Sequence, residues 1–245
     1  MRYGLIAVAF LFASATAHAS GLTVSPVSVD LGGKVTAMIV NLTNSADETK
    51  RYQLEMMSWG ESATGQMQLS PTHDVVFFPQ LLTLKAGEHR SIRVGITQPA
   101  GDVERTYRLF IQELPGMKQP GAQQKVQVLT RVGIPIFVVP QVAASKVEMS
   151  PLSVAGGRVT FDLTNRGNAH TRPAKIVFTA SDATGKPVFE KSWSGWYLLA
   201  GGQRDYTLQV PDADCKRATS FRAEALGDKL SLSKTIQATA ASCGS

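Results

Sequence analysis

Val40-Asn41-Leu42-Thr43-Asn44 recurs as Phe161-Asp162-Leu163-Thr164-Asn165, 121 residues further along the chain. Leu84-Lys85-Ala86-Gly87-Glu88-His89-Arg90 recurs as Leu198-Leu199-Ala200-Gly201-Gly202-Gln203-Arg204, 114 residues further along. Two fragment pairs in the same order at nearly the same offset make the second half a repeat of the first. In each first fragment an alternating strand runs into Leu-Thr-Asn, where Asn tolerates a left-handed turn. In each second fragment Ala-Gly opens a tight turn into another alternating strand. Similar runs, apolar at every second position, occur at Thr36 to Leu42, Arg51 to Trp59, Ser91 to Thr97 and Thr106 to Leu114. They return at Arg158 to Leu163, Lys175 to Ala180, Asp205 to Val210 and Phe221 to Leu226. Period two is β-strand, and no window of a dozen residues keeps the helical spacing. The reading is all-β: two related sandwiches, residues 20–141 and 146–245, joined around Gln141 to Ser145.

The first residues stand apart from this pattern. Arg2, the apolar run Gly4 to Ala13 and Ala17-His18-Ala19 describe a secretory signal peptide over residues 1–19, cut after Ala19. An apolar core of ten residues makes about 15 Å of helix, half the thickness of a bilayer core, so no stable membrane insertion is expected. Removing residues 1–19 takes away one basic side chain, Arg2, and lowers the net charge from +6 to +5. The remaining charges are scattered singly in an exported chain, and no nucleic acid partner is expected. Export also favours oxidation of Cys215 and Cys243, which lie in the same half of the chain, to a disulfide.

Catalytic chemistry finds little to stand on, and the chain is not expected to be an enzyme or to need a cofactor or metal. His73, His89 and His170 share no ligand spacing. There is no Gly-x-Ser-x-Gly elbow, and Ala155-Gly156-Gly157 lacks the Lys-Ser/Thr of a phosphate loop. Glu55 and Glu61 read as a solvated strand face rather than an acid/base pair.

The stretch Lys125 to Pro135, KVQVLTRVGIP, reads differently. Val126, Val128, Thr130, Val132 and Ile134 fall on one face, and Lys125, Gln127, Leu129, Arg131 and Gly133 on the other. Pro135 lacks a ladder donor, which places it on an edge strand or a bulge. One reading is an ordinary strand packed on its own core; the other is an edge left open for another protein.

Tyr107 to Pro115, the alternating strand after it and Ile136-Phe137-Val138-Val139-Pro140 together resemble the periplasmic pilus (fimbrial) assembly chaperones of the chaperone–usher pathway. Val24-Ser25-Pro26, Val29-Asp30-Leu31, Phe78-Pro79 and Leu82-Thr83-Leu84 fall in the order the resemblance requires. It implies two immunoglobulin-like β-sandwich domains in tandem, at an angle, working in the periplasm. It implies pilus subunits and an outer-membrane usher as partners, with Val126, Val128, Thr130 and Val132 as the donor strand lent to a subunit. Family members commonly grip the subunit's terminal carboxylate with a basic pair, one in the first strand and one in the last strand of the first domain. Here those places hold Val27-Ser28 and Gly133 to Pro135. That departure resembles the divergent, archaic or alternative, branch. Replacement anchors are sought among arginines turned away from the core: Arg93 first, then Arg131, then Arg108. The alternative function is an exported two-domain structural or adhesive module.

Overall fold

The computed structural model describes residues 21–116, 127–227 and 230–244. The expected signal peptide and the expected donor residue Val126 lie outside them. In chain order the first strands are β1 (Leu22–Ser25), β2 (Val29–Leu31), β3 (Ala37–Asn44), β4 (Lys50–Glu61) and β5 (Met67–Pro71). Then come β6 (Val75–Phe78), β7 (Leu81–Leu84), β8 (His89–Ile96), β9 (Arg105–Glu113) and β10 (Arg131–Val138). The second half holds β11 (Val147–Met149), β12 (Ser153–Ala155), β13 (Arg158–Asn165), β14 (Lys175–Ser181) and β15 (Pro187–Ser194). It ends with β16 (Gln203–Gln209), helix α1 (Asp212–Arg217), β17 (Ser220–Gly227) and β18 (Leu230–Gln237). Each of the eight strands read from alternation is present, displaced at its ends by no more than a few residues.

These strands form two immunoglobulin-like sandwiches in tandem. In the first, the sheet β1-β3-β8-β6 packs on β2-β10-β9-β4-β5, with β7 added to β4. Its core takes Val40, Leu42, Ile92 and Val94 from one sheet and Leu54, Leu109, Ile111, Ile134 and Ile136 from the other. The second packs β13, flanked by β11, β12 and β16, on β15-β14-β17-β18. Phe161, Leu163, Ile176, Phe178 and Phe221 fill it. Alternation along each strand is what puts these residues inward and their neighbours in solvent.

The repeated fragments coincide at atomic level. Asn44 and Asn165, at the ends of β3 and β13, are fully buried. The Asn44 side-chain amide donates to the carbonyls of Glu48, Leu84 and Lys85 at 2.8, 3.0 and 3.1 Å. That of Asn165 donates to Ala169, Leu198 and Leu199 at 2.8, 3.2 and 3.2 Å. The backbone N–H of Asn44 donates to Glu88 O and that of Asn165 to Gly202 O, each at 2.9 Å. The left-handed turn expected of these asparagines is not taken, since no non-glycine residue among those described has a positive φ. Gly87 (φ 71°) and Gly201 (φ 67°) supply that conformation instead. The position uses the asparagine's amide, which adds a second donor to Lys85 O, Leu198 O and Leu199 O, already bonded to the N–H groups of Glu88, Thr171 and Gly202. It reaches Glu48, Leu84 and Ala169 as well.

Helix α1 was not legible, because six residues cannot display a helical period. It buries Cys215, which is bonded to Cys243 with 5.4 Å between Cα atoms, the expected disulfide. Among the described residues no helix is long and apolar enough to cross a membrane.

Two outcomes follow from these ties. Asn165→Asp, nearly isosteric but without the amide donor, should lower unfolding free energy by about 1–3 kcal/mol, because Ala169 O loses its donor and a carboxylate is set against three carbonyl oxygens. Urea titration measures it, and an unchanged midpoint would dismiss the tie. Paired replacement of Cys215 and Cys243 by serine should cost about 3–4 kcal/mol on the chain-entropy model, read from the same titration.

Candidate binding edge and interdomain cleft

Strand β10 is paired along its whole length on one side only. Arg131 to Val138 match Gln112 to Arg105 of β9 in antiparallel register. On the other side β2 runs parallel to it and covers just Ile136, Phe137 and Val138. The N–H of Val139 donates to Leu31 O at 2.7 Å, so backbone groups of the odd-numbered residues face the β2 side. For Arg131, Gly133 and Pro135 that side has no strand among the described residues. Pro135 therefore sits where its missing N–H leaves no ladder bond unmade, as expected of an edge.

The even-numbered face carries the apolar run. Ile134, Ile136 and Val138 are core residues, and Val132 packs half-buried against them. Upstream the same face leaves the sandwich: Thr130 is half-buried and Val128 is 85% exposed. The strand starts at Arg131, later than the run beginning at Lys125 suggests. The reason is the end of β9 at Glu113, beyond which β10 has no ladder to join. Glu113 still accepts and donates once more, taking the N–H of Thr130 on Oε2 at 3.2 Å and donating its own N–H to Thr130 O at 2.8 Å. Of the four expected donor residues, Val128 and Thr130 thus stand beyond the core, and Val132 belongs partly to it.

The opposite face of β10 meets the second sandwich. Phe137, Trp59 and Leu199 are buried together, with Tyr197 and Val139 packed on them. His170 stacks on Phe137 with 3.7 Å between ring centroids, and its Nδ1 lies 2.8 Å from Glu104 Oε1. Asp205 N–H donates to Ala63 O at 2.8 Å, and Glu104 N–H to Asn168 O at 2.8 Å. Apolar rings at the centre and backbone bonds at the rim fix the two halves to each other.

Arg108, on β9 opposite Pro135, enters this junction. It is only 6% exposed. Its guanidinium lies 4.1 Å from the Trp59 ring and 5.4 Å from that of Trp196. Nη1 donates to Gly133 O at 3.3 Å, while Nε and Nη2 have no hydrogen-bond partner. Burial pulls its pKa below the usual arginine value, with Tyr197 and Glu61 opposing. A Cβ on Gly133 would lie 2.9 Å from the Phe110 ring but at an ordinary contact distance, 3.7 Å, from Arg108 Cδ, so the missing side chain makes room for Phe110. Beside it, Glu61 Oε1 accepts Trp196 Nε1 at 2.9 Å and Oε2 accepts Arg204 Nη2 at 3.0 Å. Burial raises the Glu61 pKa, against the pull of Arg204. The expectation that Glu61 is a solvated strand residue is overturned, because the second sandwich closes over the end of β4. Glu55 does remain exposed, paired with Arg131.

Residues 21–144, just over half of the chain, match the family described as Pili and flagellar-assembly chaperone, PapD N-terminal domain. The chain belongs to that family. Its members are assembly chaperones and not enzymes. Among curated proteins none matches this chaperone in sequence. Solved structures of similar fold include a chain of the CsuC–CsuE chaperone–tip adhesion subunit pre-assembly complex from archaic chaperone–usher Csu pili of Acinetobacter baumannii. That chain is 17% identical with a TM-score of 0.60, covering 88% of this chaperone and 97% of the other chain. The Pseudomonas aeruginosa CupB2 chaperone is 12% identical with a TM-score of 0.54, over 88% and 100% of the two chains. A chain of the Salmonella enterica SafA pilin–SafB chaperone complex is 14% identical with a TM-score of 0.54, over 91% and 98%. At such identities the likeness is one of fold.

The three arginines singled out from the sequence occupy different settings in the chaperone. Arg93 lies on β8 between Ile39 and Phe78, on the outer face of the β1-β3-β8-β6 sheet, away from β10. Arg131 is exposed, 3.4 Å from Glu55 and 4.1 Å above the Phe110 ring. Arg108 alone of the three is in the junction. Trp59 and Trp196 carry no local pattern that marks them for a site, and Glu61 reads as solvated until the second sandwich is in place.

Arg108→Met should change unfolding free energy by no more than about 1 kcal/mol in either direction, because an apolar chain of similar length removes two unpaired buried donors. A loss above 2 kcal/mol, by chemical denaturation, would make Arg108 a structural residue.

Proposed function

We propose that this chain is a periplasmic chaperone of the divergent, archaic or alternative, branch. In this reading it holds pilus subunits by donor-strand complementation and delivers them to an outer-membrane usher. Unit 20–141 lends the strand and unit 146–245 forms the other wall of the cleft. The observation that carries the reading is the uncovered side of β10 from Arg131 to Pro135, continued by an apolar face that projects past the sandwich at Val128. A subunit lacking its last strand offers the complement: unpaired backbone groups and an apolar groove. The likeness to chains of chaperone–subunit complexes supports the same direction.

In the complex, Val126, Val128 and Thr130 enter the groove, with Val132 at the boundary between the two cores. Burying Val128 fully contributes about 1.5–3 kcal/mol, and the backbone ladder adds orientation. Arg108 holds the subunit's terminal carboxylate. Its guanidinium reaches across side-chain-free Gly133 to the part of β10 where relatives commonly place a basic residue. Burial and two open donors support Arg108 over Arg131, which is already paired, and over Arg93, which is on the far sheet.

Val128→Asp should leave the melting temperature unchanged and abolish co-purification with a subunit, since a carboxylate would be buried unpaired. Subunit capture by this variant would overturn the donor assignment. A protein that stays in the finished fibre would be the structural or adhesive module instead. Arg108→Ala should weaken subunit binding by about 1.5–3 kcal/mol, and deleting the subunit's final residues should make that loss vanish. Calorimetric titration measures both, and full additivity would remove Arg108 as the anchor.

A further inference from the structure

We propose that Trp196 is a removable cover over a carboxylate site centred on Arg108, held shut in the free chain by Glu61. The inference rests on the reading of Arg108 as the anchor for a subunit's terminal carboxylate. Nε and Nη2 form one edge of a guanidinium, the parallel pair of donors from which a carboxylate accepts two hydrogen bonds. On Arg108 that whole edge is unpaired while Nη1 is engaged with Gly133 O. Trp59 lies against the guanidinium from inside, 3% exposed, whereas Trp196 lies over it and is 40% exposed. Of the two rings beside the guanidinium, Trp196 is therefore the one that borders solvent.

The indole is not loosely placed there. Its Nε1–H donates to Glu61, and the second oxygen of Glu61 accepts from Arg204 of the second sandwich. Glu61 thus spends both oxygens on the cover and its support and forms no hydrogen bond with Arg108, although its charge acts on Arg108. A carboxylate can reach the open edge once the indole swings aside. Small free anions gain too little from two hydrogen bonds to displace a held indole. A carboxylate at the end of a chain already paired along β10 is presented intramolecularly, at high effective concentration. The cover makes the site selective for a chain terminus delivered by the strand beside it.

Phenylglyoxal labelling of the full chain, followed by peptide mass mapping, tests the cover without any subunit. In the wild type Arg108 should react far more slowly than exposed Arg93 and Arg131, which serve as internal standards. In Trp196→Ala, Arg108 labelling should rise about tenfold or more, with both standards unchanged, since reactivity follows the fraction of open sites. Trp196→Phe keeps a ring but loses the donor to Glu61, and should give a smaller rise even if the alanine variant folds poorly. An N-acetylated tetrapeptide with a free terminal carboxylate should protect Arg108 in the opened variant, and its amide should not. Equal labelling of Arg108 in all three proteins, or protection by the amide, would overturn the proposal. Faster labelling combined with unaltered subunit binding by Arg108→Ala would keep the cover and remove the anchor role instead.

Discussion

A buried asparagine ends the corresponding strand of each sandwich and ties it to the turn that leads into the neighbouring strand. Asn44 ends β3 in one sheet and bonds the carbonyls of Leu84 and Lys85 where β7 leaves the other. Asn165 ends β13 and bonds the carbonyls of Leu198 and Leu199, in the segment between β15 and β16. One amide nitrogen has two hydrogens, so three carbonyls share them, and the corner tolerates no looser side chain. With the corner fixed, the following glycine turn and the strand after it fall into register. That is why a short motif, rather than overall composition, repeats along the chain.

Strand β10 of the first sandwich has two unlike ends. β10 is covered by β2 at its Ile136 to Val138 end, where it also supplies Phe137 to the junction. At its Arg131 end it is open. The two ends do opposite things: one is buried by the chain itself, the other leaves backbone groups available. Gly133 lies between them, and its carbonyl accepts from Arg108, which enters the cleft from the neighbouring strand. An arginine that sequence position alone would assign to the interior of β9 thereby reaches the neighbourhood of the edge.

Much of the fold was legible because alternation is imposed by the pleat and survives in every core strand, from Val40 and Leu42 to Phe221 and Ala223. The length of β10 was less so, since KVQVLTRVGIP carries alternation past the point where β9 ends. The pattern records which face is apolar, not whether a partner strand is present. The cleft was hardest to read. Glu61, Trp196 and Arg204 come from distant parts of the chain, and only packing of one sandwich on the other makes them neighbours. Arg108 could be recognised as outward-facing between Tyr107 and Leu109, yet its burial depends on Trp59 and on the second sandwich. The family resemblance supplied the function that these residues, taken singly, do not declare.

The half-covered strand also has a mechanical side. Tension applied at Thr130 along the axis of β10 loads several bonds to β9 at once, in shear, with β2 and the packed Phe137 ring bracing the far end. A load perpendicular to the strand at the same point would open the ladder bond by bond. The strand is therefore built like a cantilever, stiff along its length and clamped at the domain junction, with Thr130 its last tie to β9. Events at its free tip can disturb local pairing while the clamped end keeps the two sandwiches in place.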